Sequence, residues 1–564
     1  MLFRKPGTHK KRHIVKTVAA AVIASAIVVL CGCAFRGTGG TGDGTSSPGG
    51  KATPAASQVP QDPVQGGTLR LSIGPYDTIN PLRTSCEDLR LFVCAFVCEN
   101  LVDIGTDMQI VPRILASWSF DESCKVWEFK VAENIVFHSG DTAEAEDVKI
   151  LIDSIVGFGG NYAENVKNVA GCSVVDKSTV QIILKEPDAL FVNKLCIPFV
   201  GWRTLASDKP VVMDGTGIFK TTEFDEKHIL LEKNTLYRDK SKLANYNTVD
   251  MTVFESEDAK VNSDFDICVV QGASVGAGML REGTKVYYYG GTGYDYIAVN
   301  CATTYLRSSA ADPATGEKSY ITLDNPFNDK RLRQALNYVT SRNEAVTKGA
   351  SGKASVSLLP LYSGTVYRKQ ETADFPYSPE HAMQLLTGAG YERTAEGWFK
   401  NGEELAVSAI CPRRNYRMTS VMRVAAEGLR GIGVKVDLYE LTDGEYLERL
   451  NTREYMIAAV EIELGVWQDC EAVFGTNGAL NYSFYSDSRI DGYIAQTRLH
   501  SDPAVAKAAY AKIEEIILED CPIAGLFIAD NALVAGSRMQ GIKDELLRPW
   551  APLAGAEEWW IEQK

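Results

Sequence analysis

The segment from Val126 to Ile155, VWEFKVAENIVFHSGDTAEAEDVKILIDSI, changes its hydrophobic period partway along. Trp127, Phe129 and Val131 alternate with Glu128 and Lys130, the period of two that a strand buried on one face requires. His138, Ser139 and Gly140 break that run, and Val148, Ile150, Leu151, Ile152 and Ile155 resume with helical spacing. Asp141, three residues ahead of Glu144, is a candidate capping box for the helix. A strand that ends in a tight turn and starts an acid-capped helix is an α/β unit, and the remaining chain is read around it.

At 564 residues, 45% of them apolar, the chain is too long for one core, so two or three packed bodies are expected. Residues 1–32 carry Arg4, Lys5, Lys10, Lys11, Arg12 and Lys16 without an acid, followed by the apolar run Val18 to Leu30. That run is too short for a comfortable membrane span and has the pattern of a signal peptide. Residues 33–65 are dominated by Gly, Ser, Thr, Pro, Ala and Gln without hydrophobic periodicity, the composition of a flexible tether. Once the leader's six basic residues are subtracted from 58, 52 remain against 72 acids, a formal −20. Nucleic acid is excluded as a partner, because no basic footprint is concentrated anywhere.

Eleven cysteines follow Cys33 at irregular spacing, which does not read as a disulfide framework. Cys94 and Cys98 share a helix face among Phe92, Val93, Phe96 and Val97 and read as small core residues rather than metal ligands. The six histidines never pair at ligand spacing, and neither metal nor cofactor is expected. Gly-x-Ser-x-Gly, Walker and His-Glu-x-x-His patterns are missing, so no enzymatic activity is expected.

Phe137, His138, Gly140 and the run Ala145, Glu146, Asp147, Val148 resemble the signature of the family 5 solute-binding proteins of ABC importers, the peptide- and nickel-binding lipoproteins. Other stretches are similar to the same family in chain order: Gly66-Gly67-Thr68-Leu69, then Asn80-Pro81, then Leu115-Ala116-Ser117-Trp118. Gly215-Thr216-Gly217, Arg331 to Arg342 with Arg333-Gln334-Ala335-Leu336, and Cys521-Pro522 to Phe527 continue the likeness. Leu30-Cys31-Gly32-Cys33 resembles a lipobox, which implies that Cys33 is the lipidated first mature residue, anchored at the extracytoplasmic face of the cell membrane.

The resemblance implies a two-lobed, periplasmic-binding-protein-like α/β fold with mixed sheets and an interlobe cleft. Lobe 1 is expected over 66–300 with a satellite subdomain at about 125–205, lobe 2 over 301–525, and a return to lobe 1 over 526–564. The tyrosine-rich, glycine-interrupted stretch Lys285 to Asn300 is the expected crossing between lobes. The implied function is capture of a small ligand, a peptide above all, by lobe closure, and its delivery to an ABC importer permease by a monomer. A nickel chelate, haem or other non-peptide solute is the alternative ligand; a secreted hydrolase or sensory lipoprotein on the same scaffold is the alternative class.

A peptide brings two charges that need partners in the cleft. Relatives place an Asp after the strand that corresponds to Met456 to Val460; this chain departs from that pattern, and Glu461, Glu463 and Asp469 are the candidates for the amine. Arg413, Arg414 and Arg417 precede a helix, and the first two are the candidates for the carboxylate. Tyr294, Tyr296, Asn300, Trp467 and Tyr482 are the expected cleft wall, since such sites are largely apolar with few polar anchors.

Overall fold

In chain order, β1 (Thr68–Ile73) buries Leu69, Leu71 and Ile73, and α1 (Glu87–Phe96) buries Leu89, Phe92, Val93 and Phe96. Glu87 and Asp88 sit in the first turn of α1, where the helix dipole favours acids. The computed structural model describes residues 62–205, 212–276, 278, 280–306, 319–322, 325–362, 375–465, 470–500 and 502–562. The expected signal peptide, Cys33 and nearly all of the tether therefore lie outside the described residues. Among those described, no helix is long and apolar enough to cross a membrane.

A satellite sheet of four antiparallel strands follows: β2 (Leu115–Phe120), β3 (Val126–Val131), then, after helix α2 (Ala145–Phe158), β4 (Val169–Asp176) and β5 (Thr179–Leu184), in the order β2-β3-β5-β4. In β3, Trp127, Phe129 and Val131 are buried while Glu128 and Lys130 face water, as the alternation predicts. The capping box lies three residues later than expected, on Glu144 and Asp147. Phe137 and Ala143 donate their backbone N–H groups to Asp141 and Ile135 across a tight hairpin, so no helix can begin before Glu144.

His138, in that hairpin, joins two of the family-like motifs. Its Nδ1 accepts the Gly215 N–H at 3.3 Å, its Nε2 reaches the Gly217 carbonyl at 3.1 Å, and its own N–H donates to the Gly215 carbonyl. Gly215 and Gly217 are required there, because a Cβ at either would overlap the Val97 or Phe96 carbonyl. These contacts need a neutral ring, and burial pushes the His138 pKa below its ordinary 6.5. The unfolded chain then binds the extra proton first, so this contribution is complete above pH 6.5 and is lost as pH falls below it. Thermal melts should show wild type losing up to about 1.4 kcal/mol per pH unit more than His138→Asn below pH 6.

The chain continues through β6 (Phe219–Phe224), β7 (His228–Lys233), β8 (Thr248–Val253), β9 (Ile267–Gln271) and the long β10 (Lys285–Val299). Next come α3 (Lys330–Val339), α4 (Arg342–Ala350), β11 (Ala406–Pro412), α5 (Tyr416–Gly431), β12 (Lys435–Leu441), β13 (Ile457–Glu463) and the long β14 (Ile523–Ala535). One mixed sheet runs β12-β11-β13-β10-β14-β9-β1-β8-β7-β6, and the short strand Ala354–Val356 pairs with β14 off that path.

Two large apolar cores flank this sheet. One gathers β1, α1, the satellite and the C-terminal Met539 to Ile561; the other gathers α3, α4, α5, β11 and β13. We call the bodies around them lobes 1 and 2. Both β10 and β14 belong to both lobes. Lys285–Gly290 pairs with Ala535–Asp530 on the lobe 1 side and Tyr294–Ala298 with Ile528–Ile523 on the lobe 2 side, with a register shift between Gly290 and Tyr294.

The arginine-rich stretch 331–342 fastens lobe 2 to the returning chain. Buried Arg333 donates to the carbonyls of Asp520, Phe327 and Asn328, and buried Arg342 to those of Gly525, Asn337 and Phe375. All eleven described cysteines are free, and burial pushes the thiols of Cys94, Cys268 and Cys411 up to about 11, which leaves little thiolate at neutral pH.

Candidate functional site

A cavity of ≈ 1450 Å³ lies between the lobes. Lobe 1 contributes Glu87, Asp88, Arg90 and Cys94 from one face of α1, with Tyr162 and Tyr289; lobe 2 contributes Arg417, Glu461, Ile462, Glu463 and Tyr362. Trp550, from the C-terminal return, reaches across to Tyr362 with ring centroids 5.7 Å apart. The Tyr362 hydroxyl donates to the Leu464 carbonyl at 3.1 Å, which fixes that ring at the end of β13.

Three carboxylates meet one guanidinium on the lobe 2 wall. Arg417 forms an ion pair with Glu461 and places Nε 3.3 Å from Asp295 Oδ2. Over Gly293 of β10, Glu461 Oε1, Arg417 Nη2 and Glu463 Oε1 all come within 3.9 Å of where a side chain would start. Asn415, the N-cap of α5, donates to Glu461 Oε2 at 3.3 Å. The Glu463 side chain enters no ion pair or hydrogen bond among the described residues.

Asp295 is fully buried, and neither of its oxygens has a hydrogen-bond partner among the described residues. Its pKa is pushed up to about 7, first by burial and further by Glu463, against the opposing pull of Arg417. Here the folded state binds the proton more tightly than the unfolded chain. The contribution to stability is therefore present below pH 3.8 and is lost as pH rises through 7. Asp295→Asn should gain on wild type by roughly 1 kcal/mol per pH unit between pH 4 and 7, measured by urea titration.

Across the cleft, Glu87 keeps 76% of its side-chain surface, and its nearest base is Arg90 at 3.8 Å. The surrounding walls, and then Glu463 opposite, push its pKa up. Like charges thus face each other from the two lobes, an arrangement that a cation between them would relieve.

Of the residues singled out in the sequence, Glu461 and Glu463 line the cavity. Trp467 and Asp469 lie outside the described residues. Arg413 and Arg414 do not line the cavity; both are exposed, and Arg413 faces Glu445 at 4.0 Å, while Arg417, one turn into α5, enters the cleft. Tyr294 and Tyr296 stack on each other at 5.5 Å, wholly inside the lobe 2 core. Asn300 is also fully buried and serves the backbone, donating to the carbonyls of Arg453 and Tyr455 and accepting from Ala302. Tyr482 is half-buried against the same core, where its carbonyl accepts from Tyr455. The sequence reading missed Glu87 and Arg90, although Glu87, Arg90 and Cys94 recur at helical spacing on an otherwise apolar helix. Among the described residues, no three His, Cys, Asp or Glu side chains are arranged to hold a metal ion.

Comparison with known proteins agrees with this geometry. A di/tripeptide-binding protein of Pseudomonas aeruginosa (strain UCBPP-PA14) is 26% identical over 466 residues, spanning 74% of this chain and 80% of its own length. The unliganded open form of the periplasmic murein tripeptide binding protein MppA superposes with a TM-score of 0.72 at 18% identity, covering 89% of this chain and 99% of its own. The oligopeptide-binding protein AppA of Bacillus subtilis, in complex with a nonapeptide, gives 0.64 at 20% identity, covering 89% of this chain and all of its own. The family model described as bacterial extracellular solute-binding proteins, family 5, matches residues 109–479, more than half the chain. With its two lobes and the cavity between them, the chain belongs to the family 5 bacterial extracellular solute-binding proteins.

Proposed function

We propose that this protein captures a peptide in the interlobe cavity by lobe closure and passes it to an ABC importer permease, while Cys33 anchors it to the outer face of the cell membrane. The family is one of binding proteins, not enzymes. One observation carries the peptide assignment: Glu463 and Glu87 face each other across the cleft beside the Arg417 cluster, with no base closer to Glu87 than 3.8 Å. A ligand ammonium between them neutralises the repulsion that opposes closure, so the closed state is favoured by contacts that only a cationic ligand supplies. Glu461 is already engaged by Arg417 and Asn415, which makes Glu463 the lobe 2 partner of the amine. The resemblance to a di/tripeptide-binding protein supports the same ligand class.

Thermal-shift measurement against peptides, N-acetylated peptides and nickel–histidine tests the assignment. Free peptides should raise the melting temperature and N-acetylated ones should not; stabilisation by nickel–histidine alone would replace the peptide reading with the chelate. Glu463→Gln should weaken peptide binding by about ten- to a hundredfold, the worth of one charge-assisted hydrogen bond.

A further inference from the structure

We propose that Arg90 of α1, oriented by Tyr162, is the seat of the ligand's carboxylate, and that the ligands are therefore peptides of two or three residues. The inference rests on the peptide reading above and adds its second anchor and its length limit.

The bases that line the cavity differ in how firmly they are held. Arg113 is fixed to Asp103 at 2.5 Å, Lys260 to Asp88 at 2.7 Å and Lys194 to Asp188 at 2.8 Å, each pair no more than about one-third exposed. Arg90 has only Glu87, at 3.8 Å, near the outer limit of an ion pair. Glu87 is itself largely in water, so that contact contributes little. The Arg90 guanidinium is about one-third exposed and interacts instead with the Tyr162 hydroxyl, which lies 3.9 Å from Cys94 Sγ. Tyrosine and thiol hold the planar fork without consuming its charge, and such a fork suits a carboxylate bidentately.

Position on α1 then sets the length. A helix rises about 1.5 Å per residue, so Arg90 lies about 4.5 Å and Cys94 about 10 Å along the axis from Glu87. The ammonium sits at the Glu87–Glu463 end, and the Arg90 fork, turned toward Tyr162 and Cys94, lies between those two distances. An extended peptide spans about 3.3–3.6 Å per residue, so two or three residues bridge the two seats and four overshoot.

The test is calorimetric titration of the whole protein with di-, tri- and hexapeptides, each as free acid and as C-terminal amide. Wild type should bind the di- and tripeptide acids about ten- to a hundredfold more tightly than their amides, and the hexapeptides at least tenfold more weakly. Arg90→Gln should bind acids and amides alike, and Arg90→Lys should recover part of the difference as a point charge. Tyr162→Phe keeps the charge while releasing the fork; it should lower the acid–amide ratio, and it serves as the second variant should Arg90→Gln melt early. If Arg90→Gln still discriminates acid from amide as wild type does, or if wild type is indifferent to amidation, Arg90 is not the seat although the peptide reading stands. Hexapeptides bound as tightly as tripeptides overturn the length limit. A wild type that binds none of these peptides overturns the peptide reading and this inference with it.

Discussion

Replacing Asp266 with alanine is expected to cost about 3–5 kcal/mol of stability, seen as a lowered midpoint in urea titration followed by circular dichroism. The Asp266 carboxylate is 1% exposed and lies between two arginines. It accepts from the Arg70 backbone N–H at 2.9 Å, from Arg70 Nη2 at 3.2 Å, and from Arg538 Nε and Nη2 at 3.1 and 2.9 Å. Arg70 belongs to β1, Asp266 immediately precedes β9, and Arg538 follows β14, so one carboxylate joins three segments distant in sequence. Its removal leaves two largely buried guanidiniums facing each other with only exposed Asp264 nearby. A loss below about 1 kcal/mol would show that solvent replaces Asp266 there.

Gly525→Ala should be nearly as damaging and should also disturb ligand binding. A Cβ at this position would collide with the Leu358 carbonyl and the Tyr294 hydroxyl, and the Gly525 carbonyl is held by Arg342 Nε at 2.9 Å. Backbone on one side and a buried charge on the other leave no room to yield, so the cost is about 3 kcal/mol, at the upper end of the range for overpacking. Gly525 pairs with Tyr296 beside the register shift at Asp295, so the distortion reaches the carboxylate cluster one residue away. Paired measurements of melting temperature and peptide affinity should fall together; a variant that melts like wild type would show the crossing strands to be softer than their contacts imply.

Much of the architecture was legible because the family-like motifs bind one another rather than the ligand. His138 with Gly215 and Gly217, and Arg333 and Arg342 with the returning chain, are local patterns whose partners are other motifs in the same sequence. The capping box slipped by three because a hairpin hydrogen bond, invisible to spacing, occupies the backbone before Glu144. The site was legible in part. Glu461 and Glu463 follow a recognisable strand and do line the cleft. Tyr294 and Tyr296 share a face, but the glycine-rich register shift before them breaks the alternation that would tell which face is inward, and both faces of β10 are covered at that point. Asn300, just past the strand end, satisfies buried carbonyls there. Glu87 and Arg90 escaped because α1 reads as a core helix, and its polar stripe gains meaning only once a second lobe stands opposite.

The sharing of β10 and β14 between the lobes also bears on biogenesis. β9 waits for its neighbour until residues 531–535 exist, and the lobe 2 segment of β10 is completed by residues 523–528. Neither lobe can finish its sheet while the nascent chain is shorter than that, so maturation comes late and both halves close at nearly the same moment. Such a polypeptide stays pliable throughout its synthesis and gains its final rigidity only when the last strand has been delivered.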